Sequence, residues 1–229
     1  MKISVVNYES AQELVPNISR YANSQNKVSD ADLASNHPFH IKVEELSRRI
    51  VAPAVGGNQF GTYWYYERAN GQYRQETYKT TASTKKAFES RNPKKQIFKK
   101  VDLAKYINIY LKKPHIASAG AQKSFNVFST WMLSEWDKNP NFVTEEFFKK
   151  IVALTILFKE SDSIVRKQPW YDSYKANIVA YTLAAIFSKA EKDFPESTLD
   201  LQTIWKNQNI SIGWSKQIRK VSKIMYDHL

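Results

Sequence analysis

The chain has no cysteine. That excludes disulfides, thiolate metal sites and a cysteine nucleophile together, and it fits a reducing compartment. Glycine is scarce as well: six glycines beside eight prolines in 229 residues argue against a glycine-punctuated β-barrel or a phosphate-cradling loop. No apolar run is long. Runs such as Ile151–Leu154 and Ile156–Phe158 fall far short of the roughly 20 residues that span a bilayer. The start of the chain, Met1 to Glu9, has one lysine and a short apolar stretch before polar residues, which is no secretory leader. A soluble, cytoplasmic protein with no membrane partner is expected. G-x-S-x-G, Walker and dinucleotide-binding motifs are all absent, and no Asp or Glu stands two residues before a lysine as metal-dependent nucleases of the restriction type require.

What is present is a core-forming composition. Hydrophobic residues make up 42% and aromatic residues 14% of the chain, enough to fold as one large domain or two small lobes. Lys2–Asn7 reads as a short strand, and a helical spacing begins at Ser10 with Leu14, Val15, Ile18 and Tyr21. A second helix is predicted from about Pro38 to Val51, with Phe39, Val43, Leu46 and Ile50 on one face. Thr62–Arg68 has the aromatic content of a strand, and Asn70–Gly71 is a turn pair, so a hairpin reaching Tyr73 is expected. Helical signal resumes near Ser83, breaks at Asn92–Pro93 and returns from Asp102.

From Ala117 onward the pattern is helical throughout. Phe125, Phe128, Trp131, Met132 and Trp136 form a stripe ending at Asn139–Pro140, Thr144 opens the next helix, and further helices run near Tyr174–Lys192, Leu199–Asn207 and Ser211–Asp227. The expected fold class is mainly α (α+β), with a small β component in the first half and a helical bundle in the carboxyl-terminal half. The expected organisation is a mixed lobe over 1–114 and an all-helical lobe over 115–229 packed on it, or a single domain.

Charge is unevenly placed. The chain carries 34 Lys and Arg against 22 Asp and Glu, a net charge of +12. Between Lys79 and Lys113 stand eleven basic and two acidic residues, so a surplus of nine lies within 35 residues. Such a concentrated field attracts phosphate backbones. Lys85, Lys86, Arg91, Lys94, Lys95, Lys99, Lys100 and Lys105 are the candidate nucleic-acid contacts. Lysine outnumbers arginine ten to one in the tract, which favours sequence-tolerant contact with phosphates over bidentate base reading. Phe88, Phe98, Tyr106 and Tyr110 interleave with the lysines and suit either base stacking or the core.

No residue set nominates catalysis, a metal or a cofactor. His37 and His40 flank Pro38–Phe39 near Asp30, Asp32, Glu44 and Glu45, but a metal site needs three or four converging ligands, and helix-start roles account for both. Gln25-Asn26-Lys27 is the one Q-x-K, and it lacks an upstream aspartate.

Two stretches resemble a known family. Ile18–Val28, followed by Asp32-Leu33 and Ser35-Asn36, resembles the (A/T)N-x-Q-N-x-(I/V) … D-L … N block of the AIPR family, the abortive infection phage resistance proteins. Tyr65-Tyr66-Glu67-Arg68-Ala69-Asn70-Gly71-Gln72-Tyr73 resembles the same family's YYER-x-x-G-x-Y block, and Asp102–Tyr106 and Gln168–Tyr171 resemble less universal features. The resemblance implies a bacterial role in phage defence. Full-length members carry, ahead of these blocks, a restriction-endonuclease-like region with D…Q-x-K and V-N-G-x-Q-T motifs that this chain lacks. The expectation is therefore a non-catalytic carboxyl-terminal module that binds nucleic acid. The alternative is an interaction or sensor module, drawing on Trp131, Trp136, Trp170, Trp205 and Trp214, that regulates the nuclease-like region or a companion defence protein or recognises a phage protein. Asn23, Gln25, Asn26, Tyr66, Glu67, Arg68, Gln72 and Tyr73 form the candidate polar site of the family blocks. A strand there would put Tyr65 and Glu67 on one face and Tyr66 and Arg68 on the other, with a Glu67–Arg pair in a structural role.

Overall fold

A computed structural model describes residues 34–57, 59–78, 80–172, 177–193 and 201–228. The strand expected at Lys2–Asn7, the helix from Ser10, the block around Asn23, Gln25 and Asn26, and Lys79 lie outside the described residues. In chain order the elements are α1 (Pro38–Arg49), β1 (Tyr65–Glu67), α2 (Gln72–Glu76), α3 (Ala82–Arg91), β2 (Ile97–Lys99), α4 (Lys100–Tyr110), α5 (Pro114–Ala117), α6 (Ala121–Lys138), α7 (Glu145–Arg166), α8 (Ile178–Asp193), α9 (Leu201–Asn207) and α10 (Ile212–His228). Single 3-10 turns at Ala34–Asn36 and Lys94–Gln96 precede α1 and β2. The described residues are thus mainly helical with one small sheet.

Local chemistry starts the helices where the periodicity places them. His37 caps α1 by accepting from the Phe39 N–H at 3.1 Å, and Pro38 occupies the first turn, where its missing N–H costs nothing. Thr144 caps α7 by accepting from the Phe147 N–H, and Glu145 and Glu146 complement the positive end of the dipole. α7 is the central strut: its 22 residues span about 33 Å, and the unbroken buried run Ile151–Leu157 shows that neighbours cover it on all sides. Its two buried hydroxyls, Thr155 and Ser161, are satisfied by the carbonyls one turn earlier, Ile151 and Leu157.

α4, from the first half of the chain, packs against α6, α7 and α8; α9 and α10 also pack on α7, and α10 on α8. Phe39 of α1 sits 5.8 Å from the rings of both Phe128 and Phe142 and 6.0 Å from Phe147. One hydrophobic cluster therefore runs from Phe39 to Ile218 through both halves.

The hairpin expectation is overturned. β1 pairs with β2 in parallel, with Tyr65 opposite Ile97, Tyr66 opposite Phe98 and Glu67 opposite Lys99. Gly71 does turn the chain, at φ 81°, but Gln72–Glu76 continues as a helix. The Gln72 side chain accepts from the Arg68 and Ala69 N–H groups and holds that turn, and unbranched residues favour helix over strand. The crossover through α2 and α3 then delivers β2 alongside β1 in parallel. All three β1 residues are buried, so both faces of the strand are covered.

Candidate functional site

Two groupings arise. The first is built on the YYER block. Arg68, just past β1, donates from Nε to Glu44 Oε2 of α1 at 2.6 Å, and from Nη1 to the Ser35 carbonyl at 2.8 Å and Asn36 Oδ1 at 3.0 Å. The Gln72 amide donates to Glu44 Oε1, which also faces Arg48 at 3.5 Å. The Arg48 guanidinium lies over the Tyr65 ring, 3.4 Å from its centroid. Tyr66, buried, is joined to His40 Nδ1 by a 2.6 Å hydrogen bond. Tyr73 donates to the Asn92 carbonyl at 2.6 Å, and its own N–H bonds Glu67 Oε1 at 3.2 Å. The expected Glu67–Arg pair is replaced: Glu67 faces Lys99 at 3.4 Å, whereas Arg68 takes Glu44. Register explains the exchange, because the parallel pairing sets Lys99 directly opposite Glu67.

The electrostatics of this grouping follow from burial. Desolvation, helped by the positive charges of Lys100, His37 and Arg68, pushes the His40 pKa down to about 3. Burial, reinforced by Glu44 and opposed by Arg68, raises the Tyr66 phenol well above its ordinary value. Burial likewise raises Tyr65, against the pull of Arg48, and lowers the Arg48 guanidinium itself. His40 and Tyr66 are both fully buried and bonded to each other. Glu44 is consumed by two guanidiniums and an amide. The grouping is a polar lock that ties α1, β1 and α2 together, and Glu44, Ser35 and His40 belong to it as much as the block residues do. Sequence reading assigned no site role to these three. The signals present were Ser35 within the first family block, His40 and Glu44 among the groups weighed for a metal, and Glu44 standing a helical turn before Arg48.

The second grouping is the basic tract. Lys85, Lys86, Arg91, Lys94, Lys95 and Lys99 are exposed and Lys105 is half-buried. Lys100 is not a surface contact: it is 5% exposed, and its ammonium donates to Ser35 Oγ beneath the polar lock. Phe98 and Tyr106 are core residues, not stacking platforms, because β2 and α4 turn them inward onto Trp64 and Phe158. Phe88 packs on Tyr65 and Tyr73 and is the anchor of α3, which has no fully buried residue. Lys94 pairs with Glu89 at 3.3 Å and Lys105 lies over the Phe158 ring at 4.9 Å. Lys159 reaches across from α7 and donates to the carbonyls of Lys95 at 2.9 Å and Ile97 at 2.7 Å, fixing the basic turn from below. Among the described residues Lys85, Lys86 and Lys95 have no carboxylate partner.

Elsewhere, Trp205 is buried, and Trp131, Trp136, Trp170 and Trp214 are half-buried against the core. His37 serves as a helix cap beside the Trp136 ring. Among the described residues no three His, Asp or Glu side chains converge, and no helix is long and apolar enough to cross a membrane. A depression of about 540 Å³ lined by Thr130, Leu133, Ser134, Asp137 and Lys138 shares no residue with either grouping.

No curated protein and no solved structure matches this chain significantly. The family model described as AIPR protein matches residues 1–229, the entire chain, and the protein therefore belongs to the AIPR family.

Proposed function

We propose that this chain is a nucleic-acid-binding module of a phage-defence protein, gripping phosphates without sequence preference through the exposed lysines of α3 and the turn after it. Membership of the AIPR family suggests the defence role. The observation that carries the binding reading is that Lys85, Lys86 and Lys95 are exposed and lack a carboxylate partner among the described residues. They stand on a platform held by Phe88 from one side and Lys159 from the other. A lysine balanced by an acid gains little from a phosphate; an unbalanced one releases counterions from the nucleic acid, and that release drives association.

The test is binding of DNA and RNA oligonucleotides across a salt series. The affinity should fall linearly with log salt, and the K85E/K86E/K95E chain should bind weakly, with a slope lower by about 2 to 3, since each lost phosphate contact removes about 0.7 to 0.9. Binding that ignores salt, or a triple variant that binds like the parent, would refute the reading.

A further inference from the structure

Phe60 is the most exposed large hydrophobic side chain among the described residues, at 80%. The segment bearing it is pinned at its base. The Ala52 N–H donates to the Thr62 carbonyl at 2.8 Å, Val51 bridges Tyr63 in antiparallel fashion, and the Tyr63 N–H donates to the Arg91 carbonyl at 2.8 Å. Gly61, next to Phe60, lies so close to this base that a Cβ there would stand 2.0 Å from the Ala52 carbonyl oxygen. Only glycine fits, so the attachment of Phe60 is a fixed point and not a loose tip.

That fixed point borders the basic helix. Arg91, the last residue of α3, is exposed and lies over the Tyr63 ring, 5.5 Å from its centroid. Phe60 is three residues from Tyr63 in sequence, so their Cα atoms are at most about 11 Å apart. Lys86 is five residues before Arg91 on the same helix, about 7.5 Å along its axis. An exposed aromatic ring and an exposed guanidinium therefore lie near Tyr63, and the two unbalanced ammonium groups stand farther back along the same helix. A purely apolar partner would leave these cations desolvated and unpaired, whereas a polyanion carrying flat rings satisfies both features at once.

We propose that the junction of the Phe60 segment with α3 binds single-stranded nucleic acid, Phe60 stacking on an unpaired base while Lys85, Lys86 and Arg91 take the adjoining phosphates. A duplex keeps its base faces covered and offers the ring nothing; an unpaired base has a free face. This deepens the phosphate-binding reading and rests on it.

The test compares the parent chain, F60A, F60W and K85E/K86E/K95E on single-stranded DNA, single-stranded RNA, duplex DNA and an abasic single strand. Circular dichroism and melting confirm that each chain folds. F60A should bind base-bearing single strands about 5- to 150-fold more weakly, the loss of one stacked base. It should match the parent on duplex and on the abasic strand, and F60W should restore binding. The DNA and RNA arms share this chemistry, and their relative loss shows which strand the junction prefers. If F60A holds single strands like the parent while the triple charge reversal loses them, the stacking inference falls and the phosphate reading stands. An equal loss of F60A on duplex and single strand also overturns it. If the parent chain shows no salt-sensitive binding to any of the four, both readings fall together.

Discussion

Acidification should weaken this fold through one residue, His40. Its ring is wholly buried on α1, bonded through Nδ1 to the Tyr66 hydroxyl, with Nε2 meeting no partner. Burial first, then Lys100, His37 and Arg68, bring its pKa to about 3, whereas an unfolded histidine titrates near about 6.5. Between those values the unfolded chain holds a proton that the folded chain refuses. Stability is therefore full above pH about 6.5 and is lost as pH falls toward about 3. At about 1.4 kcal/mol per pH unit the loss reaches about 3 kcal/mol at pH 4, a large share of the roughly 5–15 kcal/mol that holds a typical domain together. The assay is urea unfolding by tryptophan fluorescence between pH 7 and pH 4 for the parent chain and His40→Asn, whose Oδ1 can accept the Tyr66 proton. Carboxylates take up protons in both chains alike, so the difference between the two profiles isolates the imidazole. His40→Asn should start about 1–2 kcal/mol less stable at pH 7, from lost ring packing against Phe39 and Phe125, and the gap should close or reverse by pH 4. Parallel profiles would refute the claim that the imidazole stays neutral inside the fold.

Substitutions at the polar lock, the basic tract and the Phe60 segment have equally definite outcomes. Glu44→Ala removes the acceptor of Arg68, Arg48 and Gln72 at once. It should cost about 2–4 kcal/mol in urea unfolding, because the guanidiniums stay partly buried without a counter-charge. Lys100→Glu should destabilise by about 3 kcal/mol, since it inverts a charge at a buried position. Lys95→Glu, on the exposed turn, should stay within about 0.5 kcal/mol of the parent; a matched pair of melting curves would decide whether these near neighbours differ as stated. Gly61→Ala should cost about 1–3 kcal/mol through the clash with the Ala52 carbonyl, and a melting temperature equal to the parent's would show that the Phe60 segment is not pinned there.

Much of the helical architecture was legible because its causes are local. The Phe39, Val43, Leu46, Ile50 face is a periodicity and is buried as read. The Phe125–Trp136 stripe also packs inward, Phe125, Phe128 and Met132 fully and Trp131 and Trp136 in part, and its helix ends at Asn139; the Thr144 cap is chemistry within one turn. The pairing of Tyr65–Glu67 with Ile97–Lys99 was not legible. The two strands are about thirty residues apart in the chain and meet only because α2 and α3 carry one back to the other. The hairpin reading failed there, since a turn pair fixes the direction of the chain but not the conformation of the residues after it.

The basic tract divides along the same line. Its lysine count and its scarcity of acids are properties of composition, and the sequence by itself determined them. Which lysines can meet a phosphate is decided by tertiary structure. Lys99 and Lys100 are neighbours in the chain, yet one faces solvent beside Glu67 and the other is buried against Ser35. The strand-to-helix junction between them sends consecutive side chains to opposite sides, and the core covers only one of those sides.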